Sequence, residues 1–304
     1  MRLLLAALVV LAGCGGDDDG GGPDAGGGNP ACQTREGRTP ASGAVRIGQV
    51  TAPYGSRSEV EGVLVGGTDW QFFDMAPQRQ IESARSGDCV LYEWQPSFCE
   101  PECLDGLCHQ GECTSYPEPV SAGTLAVEVA GEAIQLEADQ PTFWGAIYRA
   151  AIPPPAEGAA IAVCAAGDAA GGFGALLEAV PPLGGALPQG GILELEDGGD
   201  VVVSWDSGSD ARVRLTLNAD NQSHGLPYRA ILECDADDTG SLVIPQSLVE
   251  AFPAVPRPPD GPVVCAGTDC PPSQLVRYRA VRVDEPDLAV EVRAESAVEF
   301  AIAH

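Results

Sequence analysis

The sequence predicts an all-β protein: an antiparallel β-sandwich with a disulfide-rich N-terminal β segment and one short helix. Three observations carry this reading. Apolar and polar residues alternate in short runs from about residue 119 to the C-terminus. Clusters of Gly, Asp, Asn and Ser separate those runs, as turns between strands require. The chain also holds 38 glycines and 26 prolines against 6% aromatic residues, which suits many turns and few long helices.

The 304 residues suffice for one large or two modest β domains with a real hydrophobic core. All sixteen basic residues are arginine, which alongside the Ala, Gly and Pro content reads as a GC-rich coding bias and not as chemistry. The net charge of −28 repels phosphate backbones, because nucleic-acid binding depends on cations that displace counterions. This argues against DNA and RNA as partners and leaves divalent cations and basic partners open.

The N-terminus reads as a targeting segment. Arg2, the apolar run Leu3 to Leu11, and Ala12-Gly13 have the charged, apolar and small-residue sections of a secretory signal. The run falls far below the roughly 20 residues that span a bilayer. Where the small residues meet Cys14, the segment resembles the lipobox of bacterial lipoproteins. That resemblance implies a signal peptide over 1–13, with the leader cut before Cys14 and that residue acylated as the membrane anchor. Two or more acyl chains make such an anchor durable. Gly15 stands where the usual inner-membrane retention aspartate would be, which favours an outer-membrane location. The remaining ten cysteines, Cys32, Cys89, Cys99, Cys103, Cys108, Cys113, Cys164, Cys234, Cys265 and Cys270, are an even set that can all pair in an oxidising compartment.

Residues 14–31 comprise the acylated cysteine and a Gly/Asp/Pro tether that cannot bury apolar surface and reaches roughly 20–25 Å as a flexible coil. Asp17, Asp18 and Asp19 are read as its solvated spacer. Residues 32–118 form the Cys-rich β segment, with strand-like runs at Val60 to Val65 and Cys89 to Trp94. Its Asp105-Gly-x-Cys108-x-x-Gly-x-Cys113 portion resembles the small disulfide modules of extracellular proteins, such as EGF-like repeats. The spacing around His109 lacks the paired knuckles of a structural zinc site, so bridges are expected there and not metal. Cys32 and Cys89 are the expected partners of each other, Cys265 and Cys270 suit a local bridge, and Cys164 and Cys234 suit bridges across or within sheets.

Residues 119–304 are read as the β-sandwich domain. Its strands carry Leu125, Val127 and Val129; Leu193 and Leu195; Val201, Val203 and Trp205; Val213, Leu215 and Leu217; Leu288, Val290 and Val292; and Val298, Phe300 and Ile302 on a buried face. Arg212, Arg214, Glu291, Arg293 and Glu299 fall between them, on the face expected to meet solvent. Pro245, Leu248 and Phe252 mark the short helix, placed over one end of the sandwich.

No catalytic constellation emerges from the three histidines, His109, His224 and His304, and no known nucleophile or phosphate-binding motif is present. No cofactor is implied beyond a weak calcium candidate at Asp235, Asp237 and Asp238 before Gly240. There the twelfth loop position is Gln246 and not the bidentate Glu that calcium favours, so a hairpin turn is the simpler reading. Lipobox, tether, Cys-rich knot and the segment Ala230-Ile-Leu-Glu-Cys234 to Gly240-Ser-Leu-Val-Ile-Pro245 together resemble uncharacterised cell-surface lipoproteins of myxobacteria and related GC-rich lineages. No activity comes with that resemblance. The leading expectation is a non-enzymatic structural or adhesion module, held at the membrane by its N-terminal lipid, with an envelope protein or glycan as partner. The alternative is a glycan- or calcium-binding surface module using Trp70, Trp144 or Tyr148 as platforms.

Overall fold

A computed structural model of the protein describes residues 32–53, 55–67, 80–94, 100, 106–109, 112–115, 118–139, 145–186, 188–196, 198–206, 209–219, 229–257 and 273–304. Cys14 with its leader and tether, Cys99, Cys103, Cys265, Cys270, Trp70, Trp144 and His224 lie outside the described residues.

The described residues form β1 (Ala41–Ala52), β2 (Gly55–Gly66), β3 (Gln80–Ser86), β4 (Cys89–Trp94), β5 (Gly106–His109), β6 (Glu112–Ser115), β7 (Leu125–Val129), β8 (Glu132–Leu136) and β9 (Ala146–Ala151). They continue with β10 (Ala160–Ala165), β11 (Phe173–Glu178), β12 (Ile192–Glu194), β13 (Val201–Ser204), β14 (Arg212–Ala219), β15 (Ala230–Asp237), β16 (Ser241–Ile244), α1 (Gln246–Ala251), β17 (Ser273–Glu285) and β18 (Leu288–Ala303). The described residues are therefore all-β with one short α-helix, and no helix among them is long and apolar enough to cross a membrane.

Ten strands share one large sheet in the order β3-β4-β15-β14-β17-β18-β1-β2-β9, with β12 beside the end of β18. A second sheet runs β11-β10-β7-β8, and β13 with β16 and β5 with β6 form two-stranded ribbons. Strands from 32–118 and from 119–304 thus alternate in one sheet. Most ladders are antiparallel, but β1 lies parallel to β18 from Ala41 opposite Leu288 to Thr51 opposite Val298. Gly48 makes the closest approach in this ladder. A Cβ there would sit 2.0 Å from the carbonyl oxygen of Glu295, so only glycine fits.

One face of the large sheet buries two apolar cores. In the first, Val45 and Ile47 (β1), Val60 and Leu64 (β2) and Val290 and Val292 (β18) pack against Leu125, Val127, Ile161, Val163 and Phe173 of the four-stranded sheet. In the second, Leu91, Val213, Leu215, Leu217, Leu232, Val298 and Phe300 are covered by Val203, Leu242 and Ile244 of the β13–β16 ribbon and by Leu248 and Phe252 at the helix. The predicted alternation is what fills both cores, and the helix covers the second as its apolar spacing implied. Asp200 secures the helix start, its Oδ1 accepting the amide of Gln246 at 2.8 Å from 46 residues away. Trp205 is a core ring, although it follows β13 and is not part of it.

Two expectations are corrected. Cys32 and Cys89 do not pair with each other: the bridges are Cys32–Cys164 and Cys89–Cys234. The reason is topological. β4 lies against β15 with Cys89 directly opposite Cys234, while Cys32 reaches β10 of the other sheet. Cys113 is disulfide-bonded as well. The turn after Asp237 is also not a hairpin, because β15 pairs with β14 and β4 whereas β16 pairs with β13. It is a corner that carries the chain from the large sheet to the ribbon covering it.

Gly48→Ala should destabilise the protein by about 1–3 kcal/mol or more, since β1 must shift off β18 to admit a methyl group. Urea unfolding of the variant checks this, and an unchanged midpoint would contradict the close approach.

Candidate functional site

The two cores meet along a polar seam built around Arg277. On the core-facing side of β17, Leu275 belongs to the second core and Val281 packs on the first, and Arg277 falls between them. It lies opposite Ser296 of β18 and Val213 of β14. Its guanidinium is almost fully buried. Nε lies 2.9 Å from Oδ2 of Asp238, and Nη2 donates to Asp238 Oδ1 at 3.2 Å and to the carbonyl of Asp206. Nη1 donates to the carbonyls of Pro181 (3.2 Å) and Pro182 (2.9 Å).

Asp238 is equally enclosed and accepts from Trp205 Nε1 and Ser209 Oγ, both at 2.6 Å. Burial alone would raise its pKa. The bonds from Ser209, Trp205 and Arg277 outweigh that and hold it below the usual carboxylate range. Ser296 completes the seam by accepting the amide of Leu183 at 2.9 Å. A cleft lined by Gln49, Pro155, Pro182 and Ser296 has room for about one water.

The opposite face of the large sheet carries a charged lattice. The guanidinium groups of Arg293 (4.3 Å from the ring centroid) and Arg214 (5.6 Å) lie over the Tyr278 ring, and the Tyr278 hydroxyl donates to Asp235 Oδ2 at 2.6 Å. Asp235 also accepts from Arg212 Nε and Arg214 Nε, each at 2.7 Å. Further along, Arg57 pairs with Glu299 at 2.7 Å, Arg149 with Glu61, and Arg293 with Glu291. By register, Arg46, Arg57, Arg85, Arg149, Arg212, Arg214, Arg282 and Arg293 all lie on this face. That is eight of the chain's sixteen basic residues.

Of the positions expected to meet solvent, Arg212 does, Arg214 and Glu291 are half-buried, and Arg293 (5% exposed) and Glu299 (4%) are covered. The cause is the width of the sheet. Long charged side chains in its middle lie over one another and over Val276, Tyr278, Ala297 and Val50.

Electrostatics follow from this packing. Burial opposes the charge on Arg214, yet Glu233 and Asp235 reverse that and raise its pKa. Asp235 is held low, because the bonds from Tyr278, Arg214 and Arg212 outweigh its burial. Glu295 differs. Burial pushes its carboxyl above the ordinary value, against the pull of Arg46 and Arg293 and with the push of Glu61 and Glu59.

The three carboxylates of the calcium candidate are divided among these structures. Asp235 belongs to the arginine lattice and Asp237 pairs with Arg212 at 2.9 Å, while Asp238 turns inward to Arg277. Among the described residues, no group of three His, Cys, Asp or Glu is placed to hold a metal ion. Tyr148 cannot serve as an exposed platform. It is fully buried in the first core, with its hydroxyl accepting the Ala122 amide at 3.1 Å. His304 is tied down by backbone bonds to Val255 in both directions.

What this arrangement does chemically is fix the fold: carboxylates meet guanidinium groups, and polar contacts join strands. Arg277 was missed in the sequence because nothing local marks an arginine as inward-facing. The available signal was Leu275-x-Arg277-x-Arg279-x-Val281, an alternation whose core positions include two cations. No protein-family model matches the chain, and no curated protein matches it.

Asp238→Asn should cost roughly 3–5 kcal/mol by leaving Arg277 buried without its counter-charge, and adding Arg277→Met should recover much of that. Denaturant unfolding of the single and double variants tests this; additive losses would show that the two residues do not act as a pair. The pH dependence has two arms. The lowered pKa values of Asp235 and Asp238 give stability that is present above their ordinary 3.8 and lost as pH falls through the native values. The raised value of Glu295 gives stability present below its ordinary 4.5 and lost as pH rises through the native value. Glu295→Gln should therefore gain on the wild type between pH 4 and pH 7 in urea unfolding. A difference that is the same at both pH values would contradict the assignment.

Proposed function

We propose that the protein is a lipid-anchored component of the cell envelope, placed at the outer membrane, whose disulfide-stapled β body serves as a structural or adhesion module and not as an enzyme. The observation that carries this reading is the lipobox-like leader ending at Cys14, eighteen residues ahead of the first stapled cysteine, Cys32. Two bridges with sequence separations of 132 and 145 residues support it, because such bonds persist in oxidising compartments outside the cytoplasm.

The charge chemistry points the same way. The enclosed carboxylate of Asp238 and the hub of the opposite face, Asp235, are each held by arginine and by neutral donors, an arrangement that stabilises an ionised form and does not ready a group for proton transfer. A body organised in this way suits holding a position and presenting a surface. The partner is an envelope protein or glycan.

Cys14→Ser tests the anchor. The variant should move from the membrane fraction to the soluble fraction and lose metabolic labelling by a fatty-acid analogue, while the wild type keeps both. Full membrane retention of the variant would defeat the proposal.

A further inference from the structure

One disulfide stands at the start of the described residues, ahead of a segment held by backbone bonds alone. After Cys32, residues 33–40 run as a strap over the 166–172 loop before β1 begins. Their attachment is through the backbone. The amide of Arg35 donates to the Ala166 carbonyl (3.0 Å), the Gly172 amide to the Arg35 carbonyl (2.8 Å), the amides of Arg38 and Thr39 to the Ala169 carbonyl (2.9 and 3.0 Å) and the Gly67 amide to the Pro40 carbonyl (2.8 Å), with Gly37 close against Ala170 and Gly171. The side chains of the strap are mostly exposed, so little apolar burial backs these bonds. Segments of this kind open first.

The strand after the strap must not open. β1 sits inside the large sheet between β18 and β2, and its Ala41, Val45 and Ile47 are fully buried in the first core. Tension arriving at residue 33 would peel the strap and then draw on β1. The Cys32–Cys164 bond lies ahead of both. It joins the chain to β10, a strand with neighbours on each side (β7 and β11), whose Ile161, Val163 and Ala165 are buried in the same core.

We propose that the Cys32–Cys164 disulfide is where tension on the N-terminal segment enters the folded body, so that the strap and β1 stay unloaded. This rests on the reading of Cys14 as a membrane anchor, which is what would supply the tension. The measurement itself needs no lipid, so it and the Cys14→Ser fractionation fail independently.

The test is single-molecule pulling on the full chain between a handle at Asp24 and one at the C-terminus. The wild type should resist until global unfolding. Cys32→Ser/Cys164→Ser should show an earlier event at lower force, lengthening the chain by the strap, about 3 nm at 3.3–3.6 Å per residue. Pulled instead between Gly131 and the C-terminus, the variant should lack that early event. A disulfide that merely adds overall stability would lower the unfolding force in both geometries with no early step, and that result overturns the proposal. Should the variant not fold, a phosphine reductant added to folded wild type held from Asp24 under constant tension gives the same reading. A step of about 3 nm before unfolding supports the load path, and unfolding without it overturns the proposal.

Discussion

β18 is the element on which the rest of the structure depends. Its sixteen residues are long enough to cross both cores: Leu288, Val290 and Val292 fill the first, and Val298, Phe300 and Ile302 fill the second. It also carries three ladders, to β17, β1 and β12. A strand with that many obligations couples the two cores, since displacing either half exposes the other. The four-stranded sheet and the helix-bearing ribbon then act as separate covers over one continuous floor.

The seam under Arg277 shows how the covers are aligned. Apolar packing is non-directional and would tolerate some sliding of the ribbon across the sheet. The guanidinium does not, because its donors address Asp238, Asp206, Pro181 and Pro182, which come from three connections, β15–β16, β13–β14 and β11–β12. Trp205 adds a second fixed point on the same carboxylate. In a chain with almost three acidic residues for each arginine, placing arginine at such joints gives each cation several partners.

The core faces of most strands were legible in the sequence because period-two alternation is a local property. Val213, Leu215 and Leu217, or Val298, Phe300 and Ile302, announce their faces without reference to anything distant. Helix α1 was legible for the same reason. Pairing partners were not. Cys32 and Cys89 look like companions in sequence, yet sheet order sends one to β10 and the other to β15. The strands β1 and β17 escaped notice because Gly43 in one and Arg277 in the other interrupt the apolar alternation. Those interruptions make specific contacts: Gly43 lets β1 close up on β2, where a Cβ would sit 2.7 Å from the Val63 carbonyl oxygen, and Arg277 sits between cores. The carboxylates at 235, 237 and 238 made a plausible loop on paper, but a strand end and a corner turn them toward different cations.

The adjacency of β1 and β18 also bears on how the molecule comes into being. The first and last strands among the described residues are hydrogen-bonded neighbours, so the middle of the sheet joins residues about 250 positions apart. As the chain is synthesised, β1 can pair with β2 but must leave its other edge open until β18 arrives. Contacts of such long sequence separation fold slowly and leave strand edges exposed in the meantime. The folded sheet has a closed centre, whereas the sheet in formation has an open edge there until β18 docks.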